Sequence, residues 1–244
     1  MLFSLKKLFN RGNFICKFLC KETGKIPKSL NLNTQISWKV EVLQMIDKKI
    51  NKYTDSYLNH IANILYRKGI DANWVTILGL VIAFFCFIAL SHGFFYLGLT
   101  LILINRLLDG LDGSLARLSK PRKFGAFFDI TSDFAFYAVI PLGFAVFSPN
   151  ENALPTAFLL AAFYVNGSSF LTEAIIVEKY SIETDQKNKG FFYSFGLIEG
   201  FETICFFLFI CFFPDLYGKA AYVFFALTIL THVIRVFRAF KRLR

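Results

Sequence analysis

The five cysteines are odd in number and include no C-x-x-C pair, which excludes a disulfide framework or a paired-cysteine zinc site as the organising device of the fold. Cys86, Cys205 and Cys211 fall inside apolar runs and are expected to serve as small core hydrophobes. Cys16 and Cys20 form an isolated pair to which no role is assigned. Also lacking is an uninterrupted apolar core near the start: Leu2, Phe3, Leu5, Leu8 and Phe9 are broken up by Lys6, Lys7 and Arg11. No cleaved secretory signal is therefore expected, and residues 1–50 read as a basic cytosolic extension that touches the membrane, with a mitochondrial presequence as the alternative. Charge is scarce, at 18% of residues, and acidic charge scarcer still, with 17 Asp and Glu against 27 Lys and Arg. A soluble domain of ordinary make-up carries about 25% charged residues, more than this chain has.

What fills the chain instead is apolar surface. Hydrophobic residues make up 55% of it, 32 of them phenylalanine, and the mean hydropathy is +0.51. The expected fold class is all-α, a polytopic membrane protein. Six apolar segments follow one another: residues 73–91, 94–108, 126–147, 154–177, 191–213 and 217–237. The second reaches spanning length if it continues through Leu115. Between Ser56 and Lys68, Tyr57, Ile61, Ile64 and Leu65 recur at helical spacing opposite Asn59, His60, Asn63 and Arg67, the pattern of an N-terminal amphipathic juxtamembrane helix with His60 on its wet face. Residues 51–244 are thus expected to form one six-helix membrane domain.

The basic residues set its orientation. Of the 27, all but Arg106 and Lys219 fall before the first span, in 114–123, in 178–190 or from Arg235 onward. These regions share one side of a six-span chain, so the positive-inside rule puts both termini and the segment 114–123 in the cytosol. The net charge of +10 then points to the anionic headgroups of a lipid bilayer and not to nucleic acid.

Against this background one stretch, Asp109 to Asp133, carries four aspartates. Asp109, Asp112 and Ala116 are spaced by three and four, and Gly125, Asp129 and Asp133 by four and four, so each set shares a helix face. Ser114–Lys123, with Arg117, Lys120, Arg122, Lys123 and Pro121, reads as a basic turn joining two helices. Two carboxylate stripes then face each other across a hairpin. Four carboxylates in a low-dielectric setting repel, so they either take up protons or bind cations. Oxygen-only ligands favour Mg²⁺ or Mn²⁺, and two such ions form a clamp suited to phosphoryl transfer. Arg117 is a bidentate phosphate donor beside them, and the missing β-carbons of Gly113 and Gly125 would let a ligand approach both backbones.

These residues resemble the CDP-alcohol phosphotransferases, whose signature is D-x2-D-G-x2-A-R, seven or eight residues, then G-x3-D-x3-D. Asp109, Asp112, Gly113, Ala116, Arg117, Gly125, Asp129 and Asp133 fill every fixed position. The resemblance implies an enzyme that transfers a substituted phosphate from a CDP-alcohol, most commonly CDP-diacylglycerol, to a small alcohol with release of CMP. Phospholipid synthesis in a bacterial inner membrane, by a homodimer, is its implied setting. Two Mg²⁺ or Mn²⁺ ions would be held by Asp109, Asp112, Asp129 and Asp133. Asp133 would also be the base on the acceptor hydroxyl, and Gly113, Ala116, Arg117 and Gly125 would form the CDP site. The stretch Asn73-Trp74-Val75-Thr76 is similar to the family's P-N-x-x-T opening with Ala72 in place of proline, and Asn73 is expected to cap that helix.

Several polar residues inside the spans keep two readings. Arg106 is expected to snorkel to headgroups, with reach into the site as the alternative. Asn166, Ser168, Ser169 and Glu173 either pack helices or line an acceptor pocket. Glu199 and Glu202 should face the bundle interior, near that pocket or bridged to Arg106 or Arg235. The acceptor stays open: a phosphorylated one would want cations such as Lys120, Arg122, Lys123 and Lys179, which the topology alone also predicts. A cation transporter would account for four aspartates but not for Gly-x2-Ala-Arg.

Overall fold

The computed structural model describes residues 57–119, 123–180 and 198–243, all within the compact unit Asp55–Arg244. The extension 1–50, Lys120, Arg122 and residues 191–197 lie outside the described residues. Among the described residues the secondary structure is entirely helical. After a helical segment over 57–67 come α1 (Ala72–Ser91), α2 (Phe95–Leu118), α3 (Lys123–Phe147), α4 (Pro149–Lys179), α5 (Gly200–Phe212), a 3₁₀ turn (Pro214–Leu216) and α6 (Tyr217–Leu243).

Four of these are long and apolar enough to cross a bilayer: α1, α3, α4, and the turn with α6 over Pro214–Lys241. Even the 20 residues of α1 cover about 30 Å at the 1.5 Å rise of a helix. Among the described residues, α2 and α5 do not meet that measure. Helix α2 is 24 residues long, but Arg106 stands at its middle and Asp109, Asp112 and Arg117 occupy its second half. Helix α5 has only 13 residues.

Helix bounds depart from the expected ones for local reasons. Helix α2 runs on to Leu118, so Ser114–Leu118 is helix and not turn, and Arg117 in its last turn complements the negative end of the helix dipole. Pro149 opens α4 five residues before Leu154, a first-turn position that costs proline no hydrogen bond. Asp71, not Asn73, holds the cap position of α1, and Asn73 lies within the helix.

Helix α1 packs against both α2 and α3; α4 pairs with α6, and the two groups join through α3 on α4 and α2 on α5. Leu90 from α1, Ile102 from α2, Phe136, Ile140 and Phe144 from α3, Leu159 from α4, Phe207 and Ile210 from α5 and Tyr217 from α6 form one buried core. The Phe144 and Tyr217 rings stack at 4.6 Å, and the Tyr217 hydroxyl lies 2.6 Å from that of Thr156. A β-carbon on Gly143 would stand 2.7 Å from the β-carbon of Leu90, so glycine is what lets α3 and α1 approach. Trp74, Leu78, Val81, Phe84 and Phe85 of α1 are exposed, the apolar surface that acyl chains would cover. Cys86 and Cys211 are buried as expected, whereas Cys205 is exposed.

The segment 57–67 leans on this bundle at the end that carries the aspartates. Ala62 is fully buried with Val75 and Leu115, and Leu65 and Leu111 pack around them. His60 is exposed.

Candidate active site

Helices α2 and α3 bring their aspartates to one place by periodicity and by packing on the same helix, α1. Asp109, Asp112 and Asp129 each offer an oxygen, and the three atoms lie within 4.8 Å of one another. Asp112 is 5% exposed. Thr76 of α1 donates its hydroxyl to Asp112 Oδ2 at 2.7 Å. The Thr76 hydroxyl and the Gly113 backbone amide are little compensation for a buried carboxylate, which needs a cation to be tolerated. The donor set is all oxygen and carries charge, which suits a hard divalent ion such as Mg²⁺ or Mn²⁺. The residues therefore fit a metal.

Asp133 lines the same narrow cleft, with Asp109, Asp112 and Asp129, but its carboxylate is engaged differently. Arg106 Nη1 donates to Asp133 Oδ1 at 3.0 Å and lies 3.5 Å from Asp109 Oδ2. The guanidinium carbon sits 4.1 Å from the centre of the Phe136 ring. Its other nitrogens are held by Asn105: Nε and Nη2 donate to Asn105 Oδ1 at 3.1 and 2.6 Å, and Asn105 Nδ2 donates to the carbonyl of Gly79 at 2.8 Å. The expected snorkelling of Arg106 is thus corrected. Two carboxylates in reach attract the guanidinium more strongly than distant headgroups, and the i,i+3 spacing of Arg106 and Asp109 is the signal for it.

Two larger cavities flank the aspartates. The first, about 330 Å³, is lined by Asp71, Asn73, Thr76, Asp112, Gly113, Ala116, Arg117, Gly125 and Asp129, which brings the expected nucleotide-site residues together around one cavity. Arg117 Nη2 donates to Ser114 Oγ at 2.8 Å, and a β-carbon on Gly113 would meet Arg117 Nη1 at 3.8 Å. The second, about 470 Å³, opens between α3, α4, α5 and α6 and is lined by Asp133, Tyr137, Asn166, Glu199, Thr203 and Arg235 among apolar side chains. Asp133 thus borders the second cavity while Asp112 and Asp129 border the first.

The remaining polar residues separate clearly. Arg235, 9% exposed, donates from Nη1 to the carbonyl and side-chain oxygens of Asn166, both at 2.9 Å, and to Ser169 Oγ at 3.3 Å. Asn166 and Ser169 hold a cation that sequence periodicity does not assign to them. Ser168 is exposed and bonds back to Val165 within its own helix. Glu199 lines the larger cavity. Glu202 does not face the interior as expected: it is exposed and accepts the amide of Glu199 at 3.0 Å, satisfying a free donor at the helix start. Lys123 and Lys179 are exposed and line neither cavity.

Comparison with known proteins adds an independent line. The family model described as CDP-alcohol phosphatidyltransferase matches residues 70–235. The inner membrane protein YnjF of Escherichia coli is 38% identical over 201 residues, covering 82% of this chain and 98% of that protein. A crystal structure of Mycobacterium tuberculosis phosphatidylinositol phosphate synthase with CDP-DAG bound superposes with a TM-score of 0.60 at 22% identity, covering 73% of this chain and 91% of that one.

Proposed function

The chain belongs to the CDP-alcohol phosphatidyltransferase family, and from that premise we propose that it transfers the phosphatidyl group of CDP-diacylglycerol to a small polar alcohol, releasing CMP. The observation that carries this reading is the position of the aspartates between two cavities, one bordered by Gly113, Ala116, Arg117 and Gly125, the other by Asp133. A donor and an acceptor that enter from different sides meet only there.

In this reading the smaller cavity takes the cytidine and pyrophosphate, with Gly113 and Gly125 leaving room at the backbone and Arg117 donating to phosphate. Asp109, Asp112, Asp129 and Asp133 would hold two divalent ions, Mg²⁺ or Mn²⁺. Bound ions supply charge neutralisation on the phosphates and on the departing CMP. Asp133, facing the larger cavity, takes the proton of the acceptor hydroxyl as its oxygen attacks the phosphorus bearing the diacylglycerol. Thr76 fixes Asp112, and Arg106 orients Asp133.

The signature aspartates stand in the second half of α2 and the first half of α3, so the acyl chains of the donor remain beside exposed apolar faces while cytidine stays towards the water. With α2 and α5 counted as crossings beside the four longer helices, the domain has six spans, and the segment 57–67 lies along the interface as an amphipathic helix. Both termini and the site face the cytosol of a bacterium, in its inner membrane, and the enzyme works as a homodimer. Purified protein supplied with CDP-diacylglycerol, Mg²⁺ or Mn²⁺ and single alcohols in turn tests the reading: CMP should be released with one class of alcohol, and no CMP with any of them would overturn it.

A further inference from the structure

Arg106 is built into the aspartate cluster more firmly than an ion pair requires. Its side chain is anchored on one edge by Asn105 Oδ1, which takes hydrogen bonds from Nε and Nη2. Asn105, 4% exposed, is in turn tied across to the Gly79 carbonyl of α1. Below the guanidinium lies Phe136, 1% exposed, at 4.1 Å, a cation–π contact in a desolvated place. Only Nη1 meets the carboxylates, at 3.0 Å from Asp133 and 3.5 Å from Asp109. The trio Asp109, Asp112 and Asp129 is already gathered within 4.8 Å, while Asp133 is drawn to the arginine. One side chain, Asp109, belongs to both groupings.

We propose that Arg106 is a resident counter-ion to Asp109 and Asp133, competing with a second metal ion that these carboxylates would help to hold, so that the resting enzyme holds one divalent ion and admits the second only with the donor. This rests on the metal-assisted transfer proposed above. Charge counting gives the reason. Four aspartates and one arginine leave the cluster at minus three. One divalent ion brings it to minus one, and a second would bring it to plus one, beside a fixed cation in a site of low dielectric. The pyrophosphate diester of a CDP-alcohol carries two negative charges and restores a net charge of minus one with both ions in place. Arg106 thereby couples uptake of the second ion to the presence of substrate.

The test counts bound Mn²⁺ from the loss of the free-ion electron paramagnetic resonance signal. It uses the full chain in detergent, with and without CDP-diacylglycerol, after subtracting ion held by donor micelles alone. Wild type should bind one ion per chain without donor and two with it. Arg106→Gln should bind two ions without donor, its second-ion dissociation constant falling at least tenfold, about one 1.4 kcal/mol step. Arg106→Lys, which keeps the charge, should behave as wild type. Retention of the first ion in each variant reports an intact fold independently of turnover. Two ions on wild type without donor, or an Arg106→Gln isotherm the same as wild type, or an Arg106→Lys isotherm like that of Arg106→Gln, would overturn the counter-ion role while leaving the metal reading standing. No Mn²⁺ on any form would overturn both.

Discussion

Replacing Thr76 by valine deletes one hydroxyl from the site and adds no bulk to α1. In the native chain that hydroxyl donates to Asp112 Oδ2 at 2.7 Å, in a place where Asp112 is 5% exposed. A hydrogen bond to a charged group contributes about 1.5–3 kcal/mol, and every 1.4 kcal/mol is roughly a factor of ten in an equilibrium constant. If Thr76 acts by holding Asp112 in the orientation that binds metal, the apparent constant for Mn²⁺ or Mg²⁺ should rise by about 10- to 100-fold, the usual loss when an outer partner of a ligand is removed. Turnover at saturating metal should recover most of the way, because the carboxylate itself remains. Thr76→Ser keeps the donor and should stay close to wild type. The assay is CMP release as a function of metal concentration, paired with direct Mn²⁺ titration. An unchanged metal dependence in Thr76→Val, or a loss of turnover that saturating metal does not restore, would refute the argument and make Thr76 a packing residue.

Removal of divalent ions with EDTA should abolish CMP release, and added Mg²⁺ or Mn²⁺ should restore it; full turnover in chelator would count against the metal reading. Asp133→Asn should lose turnover by about 10²–10⁴-fold, the span of general-base catalysis, while CDP-diacylglycerol affinity, read by equilibrium binding, changes little; near wild-type turnover would remove Asp133 as the base. Gly143→Val forces a branched side chain into a place where even a β-carbon would stand 2.7 Å from Leu90, and should lower stability by about 1–3 kcal/mol, seen as a fall in the thermal midpoint in detergent. A reporter fused after Arg244 should be reached only from the cytosolic side of inner-membrane vesicles; labelling from the periplasmic side alone would invert the proposed topology.

Helical periodicity by itself makes much of the site legible. Asp109 and Asp112, or Asp129 and Asp133, are three or four residues apart, and on a helix that spacing sets neighbours on one face, whatever the helix packs against. The same locality lets long apolar runs announce α1, α3, α4 and α6, since the need to satisfy backbone groups within lipid leaves a helix as their form. Where a helix boundary departs from the apolar pattern, a local competitor prevails: Arg117 extends α2 by favouring its carboxyl end, and Pro149 opens α4 early.

What periodicity does not reach are choices between partners far apart in sequence. Thr76 and Asp112 are 36 residues apart, and Arg106 and Asp133 are 27. Arg235 and Asn166 are separated by 69. Whether Arg106 turns to headgroups or to carboxylates depends on how closely α3 approaches α2, and whether Glu202 faces a pocket or caps its own helix depends on where α5 begins. Those distances come from the packing of Leu90, Phe136, Ile140, Phe207 and Tyr217 into one core, a many-body outcome that no single helix encodes. The sequence alone determined which residues are chemically capable and which share a face; only the tertiary structure decided which charges meet, and that decision places a cation between Asp109 and Asp133.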